Sequence, residues 1–172
     1  MAKIGFDVDI EAPVERVWAV LEADARRPMW MPLGIETAYP EGFSRADFPG
    51  AGFQQTIWFM DRRWTFEGEI ATHEPPWLLD LSIANELAEV RLTYELLRLG
   101  TGTRLVFEGA LNARTWPVRL LGVFGRPWLN AIVARHLNRL KPLAEEAPHE
   151  ALWRPVLPEL QGDLFGYGEK AA

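Results

Sequence analysis

The chain has 172 residues, 48% of them hydrophobic and 24% charged, which suits one globular domain with a substantial core. The absence of cysteine excludes disulfides, thiolate nucleophiles and cysteine-based metal sites. The net charge is −6 and the 18 basic residues are scattered, which argues against nucleic acid as a partner. Neither a signal-peptide pattern nor a membrane-spanning apolar run is present, so the sequence predicts a soluble protein in the cytoplasm.

The first forty residues predict a strand, a helix and a second, short strand. Residues 4–10 alternate between apolar and polar side chains, as in a half-buried strand. Pro13 fits the first helical position, where its missing N–H costs nothing. The helix that follows carries one apolar face, made of Val14, Val17, Trp18 and Leu21. A strand is also expected at residues 35–39.

Met29, Trp30 and Met31 lie between this helix and the later strands. The three large apolar side chains suit either a plug in the core or a lid at the mouth of a cavity. Both interpretations stay open on the sequence.

Residues 53–112 predict a five-stranded antiparallel meander. The turns that join the strands are placed at residues 61–62, 73–76, 85–86 and 99–102. In the resulting registers Phe53 lies opposite Ile70, and Tyr94 lies opposite Phe107. Because directly opposed residues share a face, all four registers collect the apolar residues on one side of the sheet. A one-residue slip would scatter them.

Two glycines, Gly68 and Gly109, fall on the apolar face in the middle of strands. A glycine inside a strand weakens it and marks either a bend or a close approach of another group. Curvature of the sheet and contact with a ligand are therefore the two interpretations.

The C-terminal third predicts two consecutive helical segments. Thr115 can cap a segment over Trp116–Phe124, and a second segment runs from Pro127 to about Lys141 or beyond. One face of the second segment is apolar at helical spacing and comprises Leu129, Ile132, Val133, His136, Leu137, Leu140, Leu143 and Ala144. We expect this face to lie against the apolar face of the sheet.

Residues 148–172 differ in composition from residues 1–147. Prolines alternate there with large apolar residues such as Trp153 and Phe165. We therefore predict a domain at residues 1–147, followed by a proline-rich apolar extension. The extension is either a strapped-down arm or a segment that binds a partner.

Residues 10–21 (IEAPVERVWAVL) and the later pattern of Gly52, Gly68, residues 73–76 (HEPP) and residues 100–104 (GTGTR) resemble the START-like/Bet v1-like (SRPBCC) superfamily. The resemblance covers roughly residues 4–147 and is to its bacterial polyketide cyclase/dehydratase-like members. It implies an α+β helix-grip fold, in which a curved seven-stranded antiparallel sheet wraps around a long C-terminal helix. It also implies a cavity for lipids, sterols or polyketides between them. Pro142 departs from the family's pattern, because members usually continue the helix there.

The candidate ligand-binding residues are those expected to face this cavity. The strands contribute Gln55, Ile57, Phe59, Trp64, Phe66, Ile70, Leu81, Val90, Leu92, Tyr94 and Phe107, and the long helix contributes Leu129, Ile132, Val133, His136 and Leu140. Acid–base catalysis needs a titratable group near the substrate. The inward face has no carboxylate, lysine or arginine, so His136 and Tyr94 are the catalytic candidates. His136 is either a buried histidine with one hydrogen-bond partner or a group that orients or protonates a ligand.

The sequence favours binding or transport of an apolar small molecule, such as a lipid, polyketide or aromatic compound. No cofactor is predicted, and no metal site, because the three histidines are far apart and no HExxH motif is present. One alternative is a cyclase or dehydratase that uses His136 and Tyr94. Another is a protein-interaction domain that resembles Hsp90 activators and binds a partner, or a second copy, through the C-terminal extension.

Overall fold

The structure, a computed structural model, describes residues 2–31, 35–42, 49–59 and 62–146. Its strands are β1 (Ala2–Ile10), β2 (Ile35–Ala38), β3 (Gly52–Phe59), β4 (Arg62–Glu74), β5 (Leu78–Ala84), β6 (Ala88–Leu99) and β7 (Gly102–Ala113). Its helices are α1 (Val14–Glu22), α2 (Arg27–Trp30), α3 (Trp116–Phe124) and α4 (Arg126–Glu146), with a 3₁₀ turn at Asp24–Arg26. The predicted extension at residues 148–172 lies outside the described residues.

The seven strands form one antiparallel sheet in the order β1-β7-β6-β5-β4-β3-β2. The predicted meander is thus confirmed as β3 to β7. The first strand of the chain pairs with the last one, and β2 adds the opposite edge. With the long helix α4 at the C-terminus, this is the predicted helix-grip arrangement.

The predicted register is confirmed for β6 and β7, where Tyr94 lies opposite Phe107. The other three registers are shifted by two residues, so that Phe53 lies opposite Gly68 instead of Ile70. A shift of two residues keeps every side chain on its predicted face, because side chains alternate with a period of two. Up to the irregularity in β4 the apolar face is therefore as predicted, although three of the four registers were wrong.

β4 contains one irregularity that the sequence did not reveal. Its pairing with β5 skips Ala71, and beyond that point His73 lies opposite Leu79. An extra residue of this kind is a β-bulge, which changes which residues of the strand face inward. As a result His73, predicted to lie in a turn, belongs to β4 and shares the inner face with Leu79.

The helices cover the inner face of the sheet unequally. The apolar face of α1 is buried as predicted, and α4 packs mainly against β1, α1 and α2. α4 continues through Pro142 to Glu146, so it does not end early at the proline. Its last turns are tied to the end of β1, because Lys141 Nζ donates to the Asp9 carbonyl at 2.9 Å and Glu145 Oε1 accepts from the Glu11 amide at 2.7 Å.

Candidate functional site

A cavity of about 110 Å³ lies between the inner face of β3 to β6 and the segment that contains α1 and α2. Most of its wall is apolar: Leu21, Trp30, Met31, Ile35, Phe53, Ile57, Ile70, Leu79, Leu81, Ile83 and Leu92. The polar members of the wall are Glu22, Arg27, Tyr39, Gln55, His73 and Tyr94. An apolar cavity with a few polar groups is the usual composition of a small-molecule site.

Glu22 and His73 form a contact in this wall. Glu22 is the last residue of α1, and the bulge in β4 turns His73 toward it, with 3.1 Å between Glu22 Oε1 and His73 Nε2. The other carboxylate oxygen, Oε2, accepts a hydrogen bond from the Trp18 indole at 3.1 Å. The rings of Trp18 and His73 are 5.5 Å apart. Trp18 therefore contacts both members of the Glu22–His73 pair.

Arg27 and Tyr39 belong to a second polar cluster. Both bind Asp24: the guanidinium of Arg27 lies 2.7 Å from Oδ1, and the Tyr39 hydroxyl donates to Oδ2 at 2.6 Å. Arg27 also donates to the Thr37 hydroxyl at 3.0 Å. These contacts attach α2 to β2 and its following residue, and so fix one side of the cavity.

Tyr94 and Gln55 are the buried polar groups of the strands that line the cavity. Burial raises the pKa of Tyr94 to about 12, although nearby Arg27 acts in the opposite direction. Its hydroxyl therefore stays protonated near neutral pH and acts as a hydrogen-bonding group. The ring packs against Phe107, with centroids 5.1 Å apart.

Trp30 forms part of the wall and is also one of the most buried residues, at 2% exposure. Met31 lines the cavity too, whereas Met29 is exposed. Trp30 therefore combines the two predicted roles, because it belongs both to the core and to the cavity wall. Its indole Nε1 is buried and has no hydrogen-bond partner among the described residues.

The pattern of the family described as polyketide cyclase/dehydrase and lipid transport matches residues 1–145. This chain belongs to that family. A search among curated protein sequences found no significant match. The family assignment agrees with the resemblance seen in the sequence, and it supports binding of a hydrophobic ligand or a cyclase reaction in general terms.

Solved structures with the same fold come from several sources. TTHA0849 from Thermus thermophilus is 19% identical with a TM-score of 0.61, over 83% of this chain and 96% of that chain. Ara h 8.0201 is 14% identical with a TM-score of 0.56, over 80% and 97%. DynU16, from the dynemicin biosynthetic locus, is 19% identical with a TM-score of 0.61, over 86% of this chain and 49% of that chain. At these identities the likeness establishes the helix-grip fold of this family member.

The structure brings six of the predicted ligand-binding residues into the cavity wall: Gln55, Ile57, Ile70, Leu81, Leu92 and Tyr94. Nine others lie outside the wall: Trp64, Phe66, Val90, Phe107, Leu129, Ile132, Val133, His136 and Leu140. The side chain of Phe59 is outside the described part of the structure. The cavity was expected between the sheet and the long helix. In the described residues α1 and α2 cover it instead, because α4 packs toward β1.

His136 is buried on α4, as its place in the apolar stripe predicted. Burial lowers its pKa to about 4, with smaller contributions from Arg139 and Arg135. The imidazole is therefore neutral near neutral pH. Since it lies outside the cavity wall, His136 and Tyr94 do not meet in one site, and the acid–base role predicted for them has no support in this geometry.

Sequence reasoning missed Glu22, Arg27 and His73 as cavity residues. A signal existed for Glu22, because it follows Trp18 by four residues and so shares its helix face. For His73 the sequence carried no signal, since a bulge is not visible in the alternation of β4. Arg27 follows the predicted helix, where its direction depends on tertiary packing.

Two further results concern metal binding and membrane spans. Within the part of the chain that the structure describes, no group of three or more His, Asp or Glu residues is placed to hold a metal ion. No described helix is long and apolar enough to cross a membrane.

Proposed function

We propose that the protein binds a small, mainly apolar molecule in the cavity behind α1 and α2. The observation that carries this proposal is the volume of about 110 Å³ with an apolar wall and a few polar groups, among them Gln55, Tyr94 and the Glu22–His73 pair. Cavities of this composition bind ligands through apolar contact and orient them with the polar groups. The family description, which includes lipid transport, is consistent with such a role.

The size of the cavity narrows the ligand class. An engineered apolar cavity of about 150 Å³ holds one benzene molecule, whereas drug-sized sites measure about 300–1,000 Å³. At about 110 Å³ the cavity suits one aromatic ring. A fused-ring polyketide or a lipid chain is larger than this volume.

Toluene is expected to stabilise the protein. A ligand present at about 100 times its Kd adds about 2.7 kcal/mol to the free energy of unfolding, which raises Tm by roughly 5–10 °C for a chain of this size. Thermal unfolding with increasing toluene measures the effect, and native mass spectrometry of the purified protein detects any ligand bound in the cell. Pyrene, with four fused rings, serves as the oversized control. An unchanged Tm with toluene, together with no ligand mass, would contradict the proposal.

A second candidate function is an enzyme of the cyclase or dehydratase kind. It is favoured by the Glu22–His73 contact, because a histidine held by a carboxylate beside an apolar cavity is a common arrangement for moving a proton. Turnover of a small polyketone that is lost in both Glu22→Gln and His73→Gln, but kept in His136→Leu, would support the enzyme. Ligand binding without turnover would contradict the enzyme and support the binding function.

A further inference from the structure

The indole N–H of Trp30 is a buried donor in the cavity wall, without an acceptor among the described residues. Nearly all buried polar groups in folded proteins have a hydrogen-bond partner, and one left without a partner costs about 1–3 kcal/mol. The tryptophan is 2% exposed, so bulk water does not reach it freely. Since Trp30 lines the cavity, a ligand in the cavity can supply the missing acceptor.

The neighbouring polar groups indicate what kind of partner this is. An indole N–H only donates, as does the guanidinium of Arg27. The Glu22 carboxylate already accepts from Trp18 and lies against His73. Gln55 and Tyr94 can each donate as well as accept, so every polar group of the wall except the Glu22 carboxylate can donate a hydrogen bond. A ligand group that accepts hydrogen bonds complements these donors. An anion is disfavoured, because Arg27 is paired with Asp24 and Glu22 adds its own negative charge.

The geometry points to a ligand with a neutral oxygen acceptor, such as a ketone or aldehyde carbonyl on an aromatic ring, which accepts a hydrogen bond from Trp30. This inference rests on the proposed function and makes it more specific, from any small apolar molecule to an aromatic carbonyl compound. When the ligand binds, such an oxygen accepts the hydrogen bond of the Trp30 indole N–H and removes the energetic cost of leaving it without a partner. The site therefore binds a ligand with this oxygen more tightly than one without it.

Acetophenone and α-methylstyrene test the inference as a matched pair. The two have almost the same shape, but a CH₂ group in the hydrocarbon replaces the carbonyl oxygen. Water solvates them differently, so the measured quantity is the ratio of their Kd values in each variant. Removal of the donor in Trp30→Phe is expected to reduce the relative preference for acetophenone by about 5- to 30-fold, as the loss of one hydrogen bond predicts.

Trp64→Phe is the control, since Trp64 lies on β4 outside the cavity wall. It is expected to leave the ratio at the wild-type value. NMR of the wild-type protein gives a second readout that needs no variant: acetophenone, but not α-methylstyrene, should shift the Trp30 indole N–H resonance downfield. A ratio that is equal in wild type and Trp30→Phe, with no shift, would overturn the inference while leaving the proposed function intact. If neither compound binds, the result contradicts both the inference and the proposed function.

A separate observation concerns the surface of α3. Trp116, Leu120 and Phe124 follow one another at intervals of four residues along this helix, and Trp128 continues the spacing into α4. Trp116 and Phe124 are 73% and 78% exposed. We call these four residues the aromatic stripe. Large exposed apolar groups in one row usually mark a surface that meets a membrane or another protein.

The charged residues of the segment that carries the aromatic stripe have one sign. Residues 109–144 contain six Lys and Arg residues and no Asp or Glu, although the whole chain has a net charge of −6. Arg119 and Arg126 are exposed beside the stripe residues in sequence. Arg126 also lines a groove of about 320 Å³ with Lys3 and Arg91, where Glu108 is the one acidic residue among the described residues of the wall. This stretch is an exception to the scatter of basic residues elsewhere.

We infer that this surface docks onto an anionic lipid bilayer. Tryptophan, phenylalanine and leucine insert at the level of the headgroups, while arginines beside them attract acidic lipids. A second copy of the chain is a poor occupant, because its equal positive charge would oppose pairing through this surface. The charge of the stretch and the type of its exposed side chains are thus both complementary to an anionic membrane.

Vesicle flotation of the full chain tests the inference, with phosphatidylcholine alone and with phosphatidylserine added. Binding is expected to need phosphatidylserine and to weaken as salt screens the charges. The double variant Trp116→Ser/Phe124→Ser should lower partitioning at least about tenfold, and Arg119→Gln about fivefold.

The matched controls are Trp58→Ser and Arg63→Gln, both exposed residues of the sheet. They should keep the wild-type partitioning. Equal binding to both kinds of vesicle, or equal loss in the controls, would overturn the inference. No binding to either vesicle would do so as well, and would indicate that another partner, or residues 148–172, covers the aromatic stripe.

Discussion

Acidification from pH 6.5 to about 4 is expected to lower the free energy of unfolding by up to about 3 kcal/mol through His136 alone. Burial and the charges of Arg139 and Arg135 hold the pKa of this imidazole near 4 in the folded state, below its usual 6.5. The unfolded chain therefore binds more protons between these two values. The stabilising contribution of His136 is fully present above pH 6.5 and is lost as the pH falls toward 4.

His136→Leu isolates this contribution, because leucine fills the same apolar stripe and cannot be protonated. Urea unfolding of both proteins across this pH range gives the difference in their free energies of unfolding. We expect this difference to change by about 3 kcal/mol in favour of the variant as the pH falls. The carboxylates and the other histidines are common to both proteins, so their titration largely cancels. A difference that stays constant with pH would show that His136 is not buried in its neutral form.

Replacing Gly68 by alanine is expected to weaken toluene binding by about 10- to 100-fold, the range that corresponds to overpacking a filled site. A Cβ at this position would lie 2.4 Å from two carbon atoms of the Phe53 ring, which crosses the glycine from the neighbouring strand. The ring has to move, and since Phe53 lines the cavity, a movement of the ring toward the cavity reduces the volume left for a ligand. Isothermal titration with toluene measures the loss.

Gly109→Ala is the matched control. Its Cβ would lie 3.3 Å from the Phe107 ring, a distance that small adjustments relieve, and Phe107 lies outside the cavity wall. This variant should bind toluene about as well as wild type. Equal affinity in Gly68→Ala would mean that Phe53 moves elsewhere. The role of Gly68 is therefore room for an aromatic ring, an explanation that neither sheet curvature nor ligand contact had suggested.

The parts of the fold that the sequence predicted are those with a local periodic signal. The buried face of α1, the bounds of α3 and the register of β6 with β7 were all correct. The registers of the other hairpins were shifted by two residues, because an alternating pattern is unchanged by a shift of two. Only the chemistry of the turns distinguishes such registers, and these turns lack a strong glycine signal.

The candidate site was predictable only in part. The strand residues Gln55, Leu81 and Tyr94 were correctly expected to face inward, since alternation determines the face of a strand. The helices that cover the cavity were not predicted correctly. The apolar stripe of a helix shows that the helix is buried, but it does not show against which strand the helix packs. The preference of α4 for β1 over the centre of the sheet depends on contacts distant in sequence, and it left the cavity to α1 and α2.

The bulge in β4 has a consequence for comparing relatives of this protein. His73 lies three residues after the inward-facing Ile70, whereas in a regular strand the next inward position comes two residues later. A relative without the extra residue would therefore carry its equivalent of His73 one position earlier in its sequence. An alignment without a gap would compare this histidine with an outward-facing residue and would report the position as variable. Surveys of the cavity histidine across the family should open a gap at Ala71.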